Sequence, residues 1–507
     1  MRAVKLLTLD IAQGTALLAV TAVLGLGCGM SDADPVQPDP PRLGCQTLPA
    51  PTAEPFTAAS DFGELESGSL HQWQPQGRWF VTGIDDPVDT LVTASRHPSA
   101  PSNEFTLNGV IGSYDSHAGF VRQAVEREGT SFVCAQRISN RQPDGTMQFD
   151  SAECDNGTCR VCRARLVPAA RLADETESQK LVKLGEYRDP TWTASDRTLN
   201  VRVLGNYAYL VRDNGLSIID IRDPARPTNI GHWVNGYSND VKLVSAGAKT
   251  YALIADSPSK IVDVTDPTQP VTVGAAHEPA HTVFTETRNG RTYAYWGGLT
   301  GACPVDDVTD PLHPIRLGSF QTAGSYVHDM MIDQGIGYLN AWDAGLYRVD
   351  FQNPAVPVET GRWAATPKRR SHSSWATVAG GRKLVLHGDE AAGAYLSVVD
   401  AEPGSPTFMQ EIGSYQTRAE TSIHNIMAIG DRAYITYYHD GVRILDLTDP
   451  TQPKLLGYYN TWSPDEAVIG NSLFESAIGI DVDPATRRLY VADVQRGLLI
   501  LQDQTPP

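Results

Sequence analysis

Four histidines recur at one position of a repeated pattern: His281-Thr282, His328-Asp329, His372-Ser373 and His424-Asn425. Asn239-Asp240 stands at the corresponding place in an earlier copy. Imidazoles that converge with carboxylates can hold Zn2+ or another transition metal, or act as general acid and base. Most copies also carry a later aspartate, at Asp213, Asp256, Asp343, Asp389, Asp440 and Asp493. Three copies have both members: His328 with Asp343, His372 with Asp389, and His424 with Asp440. Matched pairs on successive copies are what a structural hydrogen bond would produce, and that reading comes first. It expects the imidazoles to be buried against these carboxylates. A metal or catalytic site expects them to face a central cavity instead. If the pairs form, each carboxylate orients its imidazole, so neither role excludes the other.

Other residues give weaker signals. His387-Gly388-Asp389-Glu390 reads as a polar turn, and Tyr437-Tyr438-His439 and Trp342-Asp343 put aromatics near the same face. Aromatics among polar groups suit peptide or sugar binding, and they also suit ordinary packing. The Thr-Asp-Pro runs lack the dense acidic loop of a calcium site. No Gly-rich phosphate loop, Gly-x-Ser-x-Gly or His-Glu-x-x-His occurs, so no catalytic residue is assigned.

The elements that position these groups come from the repeat itself. From Leu181 onward one line recurs: Gly, an apolar run, Asp, then x-Asp-Pro-x-x-Pro and an apolar run ending in Gly. Its Asp falls at Asp220, Asp263, Asp307, Asp350, Asp400 and Asp446, 43 to 50 residues apart. That period suits four short strands and their turns. In the sixth copy, strand a is His424 to Ile429, b is Ala433 to Tyr438, c is Val442 to Leu447 and d is Lys454 to Tyr458. Asp-Pro ends strand c because Pro cannot donate to the ladder and Asp caps its own turn. Seven b strands can be counted, so the expected fold is an all-β, seven-bladed propeller over residues 181–507. The seventh copy lacks strand d, and Leu181-Val182-Lys183-Leu184-Gly185-Glu186-Tyr187 is a spare d-like strand that would close the ring and leave no open edge. Strand a lines the channel of a propeller, so the four histidines would form a partial ring near one mouth.

The rest of the chain reads as export and tethering. Arg2 and Lys5 precede an uncharged apolar run from Ile11 to Gly27, and residues 1–28 read as a signal peptide. Gly27-Cys28 resembles a lipoprotein signal, which implies lipidation of Cys28. Residues 29–43 are a Pro- and Asp-rich tether, and residues 44–180 form a small, mostly β, disulfide-supported region of unassigned role. Cys45, Cys134, Cys154, Cys159, Cys162 and Cys303 are six cysteines in an exported chain, which points to disulfides. Cys134, Cys154, Cys159 and Cys162 are also a conceivable four-thiolate zinc set. The formal net charge of −18 argues against nucleic acid or anionic lipid as a partner.

The segments Ser217-Ile218-Ile219-Asp220 and Ile261-Val262-Asp263-Val264, each continued by Asp-Pro-x-x-Pro, resemble the LVIVD repeat family of bacterial exported and surface proteins. The resemblance implies a β-propeller and an envelope or extracellular location, and no defined activity. The His-before-strand-a and turn-Asp arrangement likewise resembles the supporting pair of WD-type propellers. The expectation is an envelope-tethered, non-enzymatic module for a protein, peptide or glycan, joined to the membrane through a lipid anchor only. It would sit on the outer membrane or cell surface, with a periplasmic or secreted protein as the alternative. The alternative function is a metal-dependent hydrolase or lyase using the histidine ring. No cofactor is expected apart from a transition metal in that case.

Overall fold

The computed structural model describes residues 43–49, 55–64, 70, 72–84, 91–96, 103–127, 130–155, 157–193, 196–276, 278–463 and 474–506. The signal segment, Cys28 and the tether up to residue 42 lie outside them. The chain divides into two compact units between Ala170 and Arg171, not at residue 180.

The first unit is a closed antiparallel barrel. Its eight strands follow one another up and down: Gly77–Thr82, Leu91–Arg96, Glu104–Leu107, Val110–Tyr114, Ala118–Arg127, Thr130–Ser139, Met147–Asp155 and Thr158–Pro168. The last strand pairs back onto the first, and Gly44–Pro49 lies along its other stretch. Trp73, Trp79, Phe105, Leu107, Ile138, Phe149 and Leu166 share one buried core. Disulfides join Cys45 to Cys162 and Cys154 to Cys159, so the four-thiolate zinc alternative does not form. Cys303 is a correction to the disulfide count. It lies in the second unit as a free, fully buried thiol. Parity alone had placed it among the paired cysteines.

The second unit is the propeller. Blade one is Thr198–Leu204, Tyr207–Arg212, Gly215–Asp220 and Thr228–Val234, which serve as strands a to d. Blades two to six repeat this order, with inner strands Asp240–Ala246, Ala280–Arg288, Val327–Asp333, Ser371–Ala379 and Ile426–Ile429. Blade six gains a fifth strand, Ser178–Gln179, paired with Tyr458 and Tyr459. Residues 171–180 therefore belong with the propeller. In blade seven, Ala477–Asp483, Arg488–Asp493 and Gly497–Asp503 are followed outward by Leu181–Tyr187, antiparallel to Gly497–Asp503. The apolar cores lie between consecutive blades. Tyr209, Val211 and Ile218 of blade one pack on Val241, Ile254 and Val262 of blade two.

The repeated residues have visible duties. Asp220, Asp263, Asp307, Asp350, Asp400 and Asp446 each accept a hydrogen bond from the backbone N–H two residues on. That bond turns the chain out of strand c. The repeated Gly ends a β-bulge in strand d of all seven blades, where one residue such as Ile230, Val273 or Leu184 is left unpaired. At four of these glycines the backbone comes against a proline carbonyl in the next blade. A Cβ on Gly185, Gly231, Gly318 or Gly413 would stand 1.9, 1.9, 2.4 or 2.3 Å from the carbonyl oxygen of Pro224, Pro267, Pro354 or Pro450. Gly274 is different: its Cβ would meet only Ile261, at 3.8 Å. Gly231→Ala should therefore destabilise the protein by about 2–3 kcal/mol, and Gly274→Ala by under about 1 kcal/mol. Chemical unfolding of the two variants checks this, and equal losses would contradict the contact.

Candidate metal centre

Three of the four histidines are aimed by a fault in their own strand, and His424 lies just before the strand Ile426–Ile429. Between Ala280 and Thr282, Val327 and Asp329, and Ser371 and Ser373, the register of strand a slips by one residue. His281, His328 and His372 are the residues skipped. A bulge re-aims its side chain, and here the imidazoles of consecutive blades come together. Ring centroids are 4.2 Å apart for His281 and His328, 4.1 Å for His328 and His372, and 4.2 Å for His372 and His424. Leu199 and Ile478 are skipped in the same way in blades one and seven. The imidazole arc therefore spans blades three to six, and Asn239 of blade two donates to the His281 carbonyl at 2.6 Å.

The turn aspartates do not hold these histidines, and the expected pairs are corrected as follows. Asp343 accepts from the Ser325 N–H at 2.7 Å and from its hydroxyl at 3.1 Å. Asp389 accepts from the Lys368 N–H at 2.6 Å. Asp440 pairs with Arg418 at 2.5 Å. Asp213 likewise binds Arg197, and Asp256 binds Asn235. In each case the partner lies in the connection leading into strand a of the same blade. The carboxylates brace that connection and leave the imidazoles to other partners.

That partner is Glu390, one residue past Asp389. Its Oε2 lies 3.7 Å from His328 Nε2 and 3.8 Å from His372 Nε2, and its Oε1 lies 3.5 Å from His424 Nε2. Ligand atoms of His328, His372 and Glu390 all fall within 4.8 Å of one another. The Tyr438 phenol donates to Glu390 Oε1 and fixes the carboxylate. His424 Nδ1 bonds the Ile478 carbonyl at 2.7 Å. A carbonyl accepts only, so Nδ1 carries the proton and Nε2 presents a lone pair. The Nδ1 of His328 and both ring nitrogens of His372 make no hydrogen bond. His372 is 1% exposed and His424 9%.

Burial dominates the electrostatics. It lowers His424 to about 3 and His281 to about 4, and it holds His328 and His372 well below the usual imidazole range, with the neighbouring imidazoles adding to the effect. Burial also raises Glu390 to about 7. The imidazoles are thus neutral at ordinary pH and available as ligands.

Tyr326 and Trp342 wall the arc. Tyr326 lies edge-on to His281 at 5.4 Å, and Trp342 stacks on His328 at 5.0 Å. The residue after each histidine belongs to a separate layer. Thr282 reaches Asp240 at 2.9 Å and Asp329 at 3.2 Å, and Asp240 pairs with Lys242 at 2.7 Å. A cavity lined by Arg202, Lys242, Phe284, Trp375 and Met427 adjoins that layer, and none of the four histidines lines it.

Sequence reasoning singled out all four histidines and missed the role of Glu390 and Tyr438. A signal for Glu390 was present. Asp213, Asp256, Asp343, Asp440 and Asp493 are followed by Asn, Ser, Ala, Gly and Val, and only Asp389 by a second acid.

The LVIVD repeat family matches residues 197–233, 235–277 and 422–461. No curated protein matches the chain. Among solved structures, Raptor of Chaetomium thermophilum is similar over 64% of this chain, at 13% identity and a TM-score of 0.48. The similarity covers 29% of Raptor, so this chain spans less than a third of that protein. The WD40 β-propeller domain of Doa1 is similar over 64% of this chain and 97% of its own, at 11% identity and a TM-score of 0.45. The matched segments are blades one, two and six, and the chain is a seven-bladed β-propeller carrying LVIVD repeats.

Proposed function

We propose that the propeller binds a divalent transition metal through His328 Nε2, His372 Nε2 and Glu390 Oε2, with His424 beside them. It would use that metal as a Lewis acid in a hydrolytic or lyase reaction. The observation that carries this reading is the approach of three imidazole Nε2 atoms to one buried carboxylate at 3.5–3.8 Å, with no turn carboxylate on any of them. Ligands about 2.1 Å from a metal in a tetrahedron stand about 3.4 Å from one another. The observed spacings are close to that value, and they are too long for hydrogen bonds. Two or three imidazoles with one carboxylate suit zinc, iron or another first-row metal. A metal so held lowers the pKa of its bound water and polarises a carbonyl. The chain's part is to exclude water, hold neutral imidazoles in place and, through Tyr438, orient Glu390.

A propeller of LVIVD repeats is also compatible with a binding module, and a protein, peptide or glycan partner stays within this proposal. Export, with lipidation at Cys28, is likewise proposed. The disulfides Cys45–Cys162 and Cys154–Cys159 support an oxidising compartment. Among the described residues, no helix is long and apolar enough to cross a membrane.

Two expectations follow from this site. Protein purified without chelators should carry about one transition metal per chain by mass spectrometry, and His372→Ala or Glu390→Gln should weaken its retention at least about 100-fold. Metal-free wild type that resists reloading would contradict the reading. The second expectation concerns acid. The folded pKa of each imidazole lies below its unfolded value near 6.5, so the unfolded chain binds more protons as pH falls. Stability is then lost below about pH 6.5, by about 2 kcal/mol per imidazole between pH 7 and pH 5. Glu390 is raised and acts in the opposite direction over that window, offsetting about one imidazole. Urea unfolding of metal-free protein should show that His424→Gln loses about 2 kcal/mol less than wild type between pH 7 and pH 5.

A further inference from the structure

The wall of the arc holds a group that the metal reading does not yet use. Tyr326 is fixed in place: its ring lies 5.4 Å from His281, 5.5 Å from His328 and 5.4 Å from Trp342, stacked on the last. The preceding residue, Ser325, is clamped by Asp343 through both its N–H and its hydroxyl. Yet the Tyr326 hydroxyl is buried and has no hydrogen-bond partner. An unpaired buried hydroxyl costs about 1–3 kcal/mol. Two other phenols near Glu390 are already committed, Tyr438 to Glu390 and Tyr237 to Asn239 Oδ1 at 2.7 Å.

We propose that Tyr326 donates its hydroxyl hydrogen to the exogenous oxygen ligand of the metal, a water or hydroxide at rest and a carboxylate or carbonyl oxygen of the substrate in turn. This inference rests on the metal reading above. It assigns the open coordination position to the side of the arc walled by Tyr326 and Trp342. A phenol hydroxyl can donate one hydrogen, and this one is buried with no acceptor of its own. The Trp342 face beside it favours a flat or apolar body attached to the ligand oxygen.

The test uses the full chain loaded with Co2+, with acetate as the oxygen ligand. Metal content, thermal stability, the visible spectrum against pH, and acetate affinity are measured for wild type and Tyr326→Phe. Tyr326→Phe removes an unpartnered hydroxyl and keeps the ring, so it should melt no lower than wild type and retain one Co2+. It should bind acetate about tenfold more weakly, and the ionisation midpoint of the bound water should rise by about one pH unit. Unchanged acetate affinity and midpoint in Tyr326→Phe would overturn the assignment. A wild-type chain that takes up no Co2+ would overturn the metal reading itself, and the stoichiometry alone identifies that failure.

Discussion

Backbone has to meet backbone where one blade ends and the next begins. In this propeller the tightest such meeting is a glycine of the outer strand against the Asp-Pro turn of the following blade. At Gly185, Gly231, Gly318 and Gly413 there is no room for a Cβ. At these four positions the bulge before the glycine carries the outer strand into this approach, and the Asp at the end of strand c places the turn that receives it. This arrangement accounts for the recurring combination of Asp, Asp-Pro and Gly. It also includes the N-terminal strand: Leu184-Gly185 carries the same bulge, and Gly185 lies against Pro224 of blade one.

The inner strands carry a second set of irregularities, and these determine the chemistry. A regular strand a would send alternate side chains to opposite faces. The one-residue slip at its start turns a single residue out of that alternation, and on three blades that residue is histidine, while His424 lies just before its strand. Because the turn carboxylates are occupied with the preceding connection, the histidines are left in a dry place with one another and one glutamate. Dry imidazoles resist protonation, and a dry carboxylate resists ionisation. Each effect alone disfavours a charged pair. A divalent cation at the centre reinforces the first preference and reverses the second, because it favours the neutral imidazole and the ionised carboxylate together. The unpartnered nitrogens of His372 and the unpartnered hydroxyl of Tyr326 fit the same centre.

The propeller was legible because its period, its Asp-Pro turns and its glycines are all written in the chain, and each maps to one local backbone requirement. The four histidines were legible for the same reason. Their partners were not. His328 and Asp343 occupy matching ends of neighbouring strands, so sequence spacing makes them look like a pair, but Ser325, in the connection leading into strand a, takes Asp343. Glu390 belongs to one blade only, so no repetition marks it. The barrel was read only as mostly β. Its strands share no motif, and closure of the last strand onto Gly77–Thr82 is a long-range pairing that local patterns do not encode. Cys303 was counted with the disulfides by parity, and its place in blade three as a free thiol separates it from them.

The most direct measurement of the central claim is X-ray absorption at the edge of whatever metal the purified protein carries. Histidine and glutamate ligation predicts a shell of nitrogen and oxygen at about 2.0–2.2 Å, with the outer-shell scattering of at least two imidazole rings, which His372→Ala diminishes. A metal surrounded by water oxygens alone, or an imidazole signal that the substitution leaves unchanged, would contradict it.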